Sequence, residues 1–343
     1  MEQELRILIN HSLSGAADLI DLMRRSHPDL TVIATHERAD TPIRLSADKV
    51  LPEPPETREM SAAAYADWLL GIALKEGAEL VLPYRRRDTL AGSRDAFAAK
   101  GVRLLTASDE GVMGLLEDKP ALLSRMGPLG APIIPYRLFQ GLPAYEGLRA
   151  VGRLFPDHDG DLCVKPASGI YGAGFRILRD RLPEGSPLSA LSTLELPEPV
   201  FRGLLATLPA PEPMMLMPYF TGAERSVDFA CLDGRLLGTV SRVKAGTSQR
   251  LHHDPEGERL AALVTETFRL SGVLNLQTIE DERGVQRLME VNSRASGGLG
   301  MSGGTNVNLP GLLLDALEGR TPQDPARVDH PVRVGKREIF WTV

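Results

Sequence analysis

Strand-like and helix-like segments alternate along the N-terminal third of the chain, and this alternation limits the folds open to it. Apolar runs typical of buried strands lie at 5–9, 30–34, 79–83 and 102–105, and helical spacing of apolar residues marks 16–25, 65–75 and 88–99. Strands that alternate with helices form a parallel sheet covered on both faces. We therefore predict an N-terminal α/β domain.

The first strand-to-helix turn, 10–15, lacks the G-x-G-x-x-G pattern that binds dinucleotides. An NAD-dependent oxidoreductase is therefore disfavoured.

Composition excludes several classes of protein. A net charge of −6 over 343 residues argues against a general nucleic-acid binder. No apolar run is long enough to span a membrane, and the acidic N-terminus is unlike a signal peptide. The two cysteines, Cys163 and Cys231, are far apart, so we expect no disulfide scaffold and a cytoplasmic location.

The rest of the chain is richer in strands. We predict a helix at 112–125, a strand near 133–134, and short helices with loops at 183–213. Further strands are predicted at 214–217, 226–231, 236–240, 273–279 and 287–291, and a closing strand at 337–343. A helix at 309–317 has Asn308 as its N-cap and Gly319 beyond its end.

Three polar residues alternate with apolar ones near the C-terminus: Glu290, Asn292 and Arg294. On a β-strand, residues at this spacing share one face. Carboxylate and amide oxygens suit Mg²⁺, and a guanidinium suits phosphate or carboxylate. The pattern indicates either a nucleoside triphosphate site or an edge strand with a solvated polar face.

A lysine precedes a loop of small residues. Lys165 follows the apolar run 162–164, and the loop contains Ser168, Gly169, Gly172 and Gly174. Backbone N–H groups of such a loop can close over phosphates while the lysine supplies a charge beside them. A flexible hairpin is the alternative.

Two other segments give weaker signals. Segment 217–220 can hold a purine through its main chain, with Pro218 offering only a carbonyl and Phe220 an N–H. Gln277 precedes a hairpin-like turn, so folding back would bring it near Glu290. A plain loop and a solvent-facing glutamine are the respective alternatives.

Taken in chain order, these segments resemble the ATP-grasp superfamily, in the branch of carbamoyl phosphate synthase and biotin carboxylase. The matching motifs are Asp118-Lys119, Val164-Lys165-Pro166 with its glycine loop, Gly222-Ala223-Glu224, Gln277 and Glu290-x-Asn292-x-Arg294. The resemblance implies α/β and α+β architecture: a Rossmann-like pre-ATP-grasp domain followed by a two-lobed, single ATP-grasp fold. The implied boundaries are 1–112 for the first domain, 113–215 for lobe A with the phosphate flap, and 216–343 for lobe B with the Mg–ATP and substrate site.

The resemblance also implies roles for individual residues. Lys119 and Lys165 would contact phosphates, and a flap containing Ser168, Gly169, Gly172 and Gly174 would cover them. Pro218 and Phe220 would hold adenine, and Glu224 the ribose. Gln277, Glu290 and Asn292 would ligate the metal, and Arg294 would stabilise the transferred phosphoryl group or the acyl phosphate. Met217 departs from the family pattern, because an acidic residue usually meets the adenine amino group there.

The implied activity is that of an ATP-dependent carboxylate–amine ligase, which forms ADP and phosphate through an acyl phosphate. Its cofactors would be ATP and Mg²⁺, with Mn²⁺ as a substitute, and its partners a small carboxylate and an amine. The glycine-rich segment 295–306 is predicted to line the acceptor pocket, with a flexible connector as the alternative. Ligases of this type often dimerise, so a homodimer is compatible. A catalytically inactive, ATP-binding regulatory protein is the alternative function.

Overall fold

The chain divides into two compact units. The structure is a computed structural model and describes residues 5–10, 15–38, 40–169, 173–180, 194–208 and 211–336. Unit 1 contains the described residues of Met1–Leu116, Glu224–Gln277 and Val291–Val343, and unit 2 those of Glu117–Ala223 and Thr278–Glu290. The three-part division at 112 and 215 stays a prediction.

Unit 1 begins with a parallel sheet. Its described strands are β1 (Arg6–Asn10), β2 (Thr31–His36), β3 (Lys49–Pro52), β4 (Leu80–Pro83) and β5 (Arg103–Leu104), in the order β3-β2-β1-β4-β5. All neighbouring pairs are parallel. The helices of this region are α1 (Ala16–Ser26), α2 (Ala62–Glu76), α3 (Arg87–Leu90) and α4 (Arg94–Ala98).

Alternating side chains explain why this sheet is covered on both faces. Ile7 and Ile9 belong to one buried apolar cluster, whereas Leu8 belongs to another. The predicted parallel sheet with two covered faces is therefore confirmed. The helix predicted at 88–99 is wrong in detail, because a 3₁₀ turn, Ala91–Ser93, separates α3 from α4. The edge strand β3 was not predicted.

Unit 2 is built on a mixed sheet. Two helices precede it, α5 (Glu110–Glu117), which starts in unit 1, and α6 (Lys119–Met126). The other described elements are β6 (Arg137–Phe139), α7 (Gly141–Ala150), β7 (Leu162–Pro166), β8 (Arg176–Arg179), β9 (Glu195–Pro197), α8 (Glu198–Thr207) and β10 (Met214–Pro218). The strand order is β6-β10-β7-β8-β9, in which only β8 and β9 of the described strands pair in parallel.

Some predictions for this region were wrong in detail. The single helix predicted at 112–125 is two helices, because Asp118 caps α6 by accepting a hydrogen bond from the Ala121 N–H (2.9 Å). Ile133 forms one isolated bridge with Leu288 and lies outside the named strands. Within 183–213, the described residues form β9 and α8, and the strand was not predicted.

An antiparallel sheet follows in the chain. Residues 278–290, at the hairpin between its fourth and fifth strands in chain order, belong to unit 2. The described strands of this sheet are β11 (Glu224–Leu232), β12 (Arg235–Ala245), β13 (Ser248–His252), β14 (Gly272–Glu280), β15 (Gln286–Asn292) and β16 (Val332–Gly335), in the order β15-β14-β11-β12-β13-β16. The accompanying helices are α9 (Pro255–Phe268), which was not predicted, and α10 (Leu309–Leu317).

The prediction for α10 is confirmed, since the Asn308 side chain accepts a hydrogen bond from the Gly311 N–H (3.2 Å). The strand predicted at 337–343 lies outside the described residues. Across the described chain, no helix has the length and apolar character that crossing a membrane requires.

Candidate functional site

Unit 2 brings two predicted phosphate-binding lysines and a predicted metal ligand into one cluster. Lys165 Nζ lies 3.7 Å from Glu290 Oε2. Lys119 Nζ donates a hydrogen bond to the Gly169 carbonyl (2.6 Å). Burial lowers the pKa of Lys165, the Glu290 carboxylate opposes this effect, and the Lys119 ammonium lowers the pKa further. The cluster therefore combines two ammonium groups with one carboxylate, which favours the binding of an anion.

Regular elements hold both lysines. Lys165 lies on β7 opposite Met215 of β10, so its backbone is part of the sheet. Lys119 is the first residue of α6, directly after the capping residue Asp118. Its own N–H donates to the carbonyl of Ala167, 3.3 Å away, which ties the start of the helix to the loop after β7.

Glycine is required where the loop after β7 turns. Gly169 and Gly174 have φ angles of 111° and 78°, in the region that other residues rarely adopt. A Cβ at Gly174 would lie 2.8 Å from the ring carbons of Pro166, so the glycine also permits close packing. Ser168 and Gly169 are exposed, as a phosphate-covering loop requires, and Gly172 lies outside the described residues.

The predicted purine-binding segment follows β10. Met217 is only 2% exposed, so its side chain belongs to the core of unit 2. The Pro218 carbonyl accepts a hydrogen bond from the Cys163 thiol (3.5 Å). The Tyr219 N–H donates to the Asp161 carbonyl (2.8 Å). Neighbouring backbone therefore fixes the path of segment 217–220.

A buried histidine supports this segment, and sequence reasoning missed it. His158 Nδ1 lies 2.6 Å from Glu282 Oε1, and its Nε2 lies 2.7 Å from the Asp161 carbonyl oxygen. Its ring meets the ring of Phe220 edge to face, with centroids 5.5 Å apart. A lone histidine among polar loop residues carries no pattern that would have predicted this role. The side chain links the hairpin turn after β14 to the segment after β10.

Replacing His158 with leucine is expected to weaken both unit 2 and nucleotide binding. The Glu282 carboxylate and the Asp161 carbonyl would each lose their contact with the ring, and we expect the free energy of unfolding to fall by about 2 kcal/mol. If segment 217–220 binds ATP, as the resemblance predicts, the same change should raise the KM for ATP more than it lowers kcat, because the Phe220 segment loses its support. Urea unfolding and steady-state kinetics measure the two effects. An unchanged KM in a destabilised variant would show that His158 supports the fold alone.

In unit 1, two predicted metal ligands share one face of the antiparallel sheet. Asn292 Nδ2 donates to Asn275 Oδ1 (3.3 Å), so these side chains of β15 and β14 point the same way. Gln277 lies two residues beyond Asn275 on β14 and therefore projects from the same face. Amide oxygens on this face have the chemistry that Mg²⁺ prefers.

A buried ion pair continues this polar face. Asp228 is fully buried and accepts hydrogen bonds from Arg242 Nε (2.7 Å) and Asn275 Nδ2 (2.9 Å). Arg242 Nη2 also donates to Ser226 Oγ (2.7 Å) and Ser296 Oγ (2.8 Å). The pairing of Arg242 with Asp228 could not be read from the sequence. The pair, together with Asn275, links side chains of β11, β12 and β14.

Two further predicted site residues are Glu224 and Arg294. Glu224 is exposed at the start of β11. Arg294 is 9% exposed and donates to the Ala295 carbonyl (3.2 Å).

The glycine-rich segment after Arg294 packs tightly against side chains of unit 1. A Cβ at Gly300 would lie 2.5 Å from the Asp18 carboxylate, and one at Gly303 would lie 2.7 Å from Arg25 Nη1. The Arg242 guanidinium occupies the corresponding space beside Gly298. Packing accounts for these three glycines, and the contact of 295–306 with an acceptor stays a prediction.

Comparisons with known proteins place this geometry in a known fold. Residues 210–339 match a family model described as "ATP-grasp in the biosynthetic pathway with Ter operon". The biotin carboxylase domain of Hydrogenobacter thermophilus 2-oxoglutarate carboxylase, solved with MgADP and bicarbonate, superposes with a TM-score of 0.66 at 15% identity, over 96% of this chain and 74% of that one. The chain has the ATP-grasp fold.

Two other solved structures share the ATP-grasp fold with this chain. N5-carboxyaminoimidazole synthetase from Staphylococcus aureus gives a TM-score of 0.64 at 10% identity, over 96% of this chain and 82% of that one. An L-amino acid ligase from Bacillus licheniformis gives 0.58 at 14% identity, over 93% and 75%. No curated protein matches the chain in sequence. The family match and the similar solved structures confirm the resemblance drawn from the sequence motifs and the fold class that it implied.

Proposed function

We propose that this ATP-grasp protein is an ATP-dependent ligase that joins a carboxylate to an amine through an acyl phosphate. The observation that carries the proposal is the cluster of Lys119, Lys165 and Glu290 beside a glycine-bearing loop in unit 2. The proteins of similar fold support it, since one is an L-amino acid ligase and another was solved with MgADP and bicarbonate.

The lysines would supply the positive charge that the reaction needs. Lys119 and Lys165 lie on α6 and β7, and the Gly169 carbonyl and the Glu290 carboxylate hold their ammonium groups. These groups would therefore meet phosphate oxygens with little loss of side-chain freedom. Fixed charges of this kind stabilise the charge that develops on a transferring phosphoryl group. We assign Arg294 to the transferred phosphoryl group or the acyl phosphate, because a guanidinium pairs with either anion.

Carboxylate and amide oxygens fit a bound magnesium ion. Glu290, Asn292 and Gln277 offer hard ligands, and their assignment to Mg²⁺ remains a proposal. When bound, Mg²⁺ would neutralise charge on the phosphate oxygens. The ammonium of Lys165 holds the Glu290 carboxylate in place at 3.7 Å.

We propose that ATP binds with its adenine on segment 217–220. The Pro218 carbonyl and the Phe220 N–H would bond the base, and Glu224 the ribose. Met217 is buried and apolar at the position where the family usually has an acidic residue. Selection of ATP over other nucleotides would therefore depend on the main chain.

The proposed chemistry has two steps. A carboxylate oxygen of the substrate attacks the γ-phosphorus of ATP, a P–O bond forms, and the bond to ADP breaks. The amine nitrogen then attacks the acyl carbon, a C–N bond forms, the C–O bond to phosphate breaks, and the nitrogen loses a proton to solvent. Closure of the predicted flap, 168–174, would exclude water, which otherwise hydrolyses the acyl phosphate.

The test is ADP release by the purified chain with MgATP and pools of carboxylic acids and amines, followed by mass spectrometry of the products. A ligase requires both pools for sustained ADP release and yields a product heavier than either substrate. ATP binding without turnover against every pool would instead identify a regulatory protein with an inactive ligase fold.

A further inference from the structure

Unit 1 contains a cavity of about 50 Å³ whose position favours ligand binding. Its lining includes Tyr84, directly after β4, and Thr106 and Ala107, shortly after β5. Ligands of open α/β sheets bind beyond the carboxyl ends of the strands. The first residues of β14 and Arg294 also belong to the lining. The cavity is therefore located where a parallel sheet presents its binding loops.

The charge of the lining is positive. Two guanidinium groups, those of Arg87 and Arg294, belong to it, and no carboxylate is among the described residues that line it. Arg87 Nε donates a hydrogen bond to Ser293 Oγ (2.8 Å). This bond holds the Arg87 side chain against the residue that directly precedes Arg294 in the chain. Guanidinium groups bind carboxylates in a planar, two-pronged geometry. The cavity therefore favours an anion.

The rest of the lining is mostly apolar and the space is small. Leu19, Met23, Leu105 and Leu313 contribute aliphatic surface. A water molecule needs roughly 10–15 Å³ of this kind of volume, so the cavity holds only about three to five water-sized groups. A ligand that matches it is short and has an aliphatic body.

We infer that this cavity binds a short-chain aliphatic carboxylate and that this acid is the substrate activated by ATP. The acid end lies toward Arg87 and Arg294, and the alkyl end lies against the leucine and methionine side chains. An α-amino acid fits less well as the activated acid, because its ammonium group would lie beside two guanidiniums in a mostly apolar space. The assignment of the bound acid as substrate rests on the proposed ligase function; its binding does not.

Binding is tested directly with the full chain by saturation-transfer NMR, using propionate, butyrate, alanine and glutarate as probes. Propionate or butyrate should bind best, because alanine adds an ammonium and glutarate a second charge in an apolar space. Tighter binding of alanine or glutarate, or no binding of either aliphatic acid, overturns the inference.

Two variants locate the binding. Arg87→Gln removes one guanidinium and should raise the Kd of propionate at least about tenfold, since a hydrogen bond to a charged group is lost. Ala107→Leu fills the cavity and should abolish butyrate binding, while the Ala107 carbonyl still accepts the Ser271 N–H (2.8 Å). Ala96→Leu, at an exposed position of α4, is the matched control and should bind butyrate normally.

Unfolding curves and the Kd for MgATP show that each variant is folded. Equal propionate binding in the wild type, Arg87→Gln and Ala107→Leu would overturn the inference, because the acid would then bind elsewhere.

The experiments give different results depending on whether the acid-binding inference or the proposed ligase function is wrong. If propionate binds as expected but no amine supports ADP release, the cavity is confirmed as an acid site and the proposed function is wrong. If other acids support ADP release and the Ala107→Leu variant turns them over at the wild-type rate, the ligase function stands and the assignment of the substrate to this cavity is wrong.

Discussion

Glu290→Gln is expected to lower the rate of ADP release by about 10²-fold or more while leaving the protein folded. The amide keeps the size of the side chain but removes the negative charge that lies 3.7 Å from the Lys165 ammonium. Loss of one preorganised electrostatic partner at a reacting centre commonly costs about 10²–10³ in kcat. Steady-state ADP release at saturating MgATP measures the effect.

The matched control is Glu212→Gln, which makes the same chemical change at an exposed position of unit 2. We expect it to retain wild-type turnover. Lys165→Ala should resemble Glu290→Gln in rate. If Glu290→Gln turned over normally, both the metal assignment and the catalytic role of the cluster would be wrong.

The second large effect concerns stability. Asp228→Ala is expected to lower the free energy of unfolding by about 3–5 kcal/mol, because the Arg242 guanidinium would remain buried without its carboxylate. Arg242 is only 6% exposed, so water cannot replace the lost partner. Urea unfolding followed by circular dichroism measures the change.

A double replacement provides the control for this prediction. Asp228→Leu with Arg242→Met removes both charges, and we expect it to be more stable than Asp228→Ala, since an apolar pair can replace a buried ion pair at small cost. Asp159→Ala removes a carboxylate that is 84% exposed and should cost less than about 1 kcal/mol. Equal losses from Asp228→Ala and Asp159→Ala would contradict the role of burial.

The fold was predictable in the segments where the spacing of apolar residues was the dominant pattern. Short apolar runs identified four of the described strands of the parallel sheet, and three of them, β1, β2 and β4, have buried residues on both faces. The edge strand β3 escaped, since Lys49 and Pro52 interrupt its apolar pattern. The break at Asp118 was missed although local signals mark it, because Asp118 is a favourable N-cap and Pro120 stands in the first turn of α6.

The candidate site was predictable in its motifs and not in its supporting contacts. Local patterns identified Lys165 and Glu290, which the structure places together although they are far apart in the chain. The pairing of Asp228 with Arg242 depends on strand register, and the contact of His158 with Glu282 joins two loops. Neither leaves a periodic or local pattern, so sequence reasoning could not find them.

The packed glycines after Arg294 have an evolutionary consequence. The side chains of Asp18, Arg25 and Arg242 occupy the space in which Gly300, Gly303 and Gly298 would otherwise carry a Cβ. A homologue that replaces one of these glycines must therefore shorten or redirect the matching side chain. We expect the three position pairs 18/300, 25/303 and 242/298 to covary among related sequences, so that segment 297–304 changes together with α1 and β12.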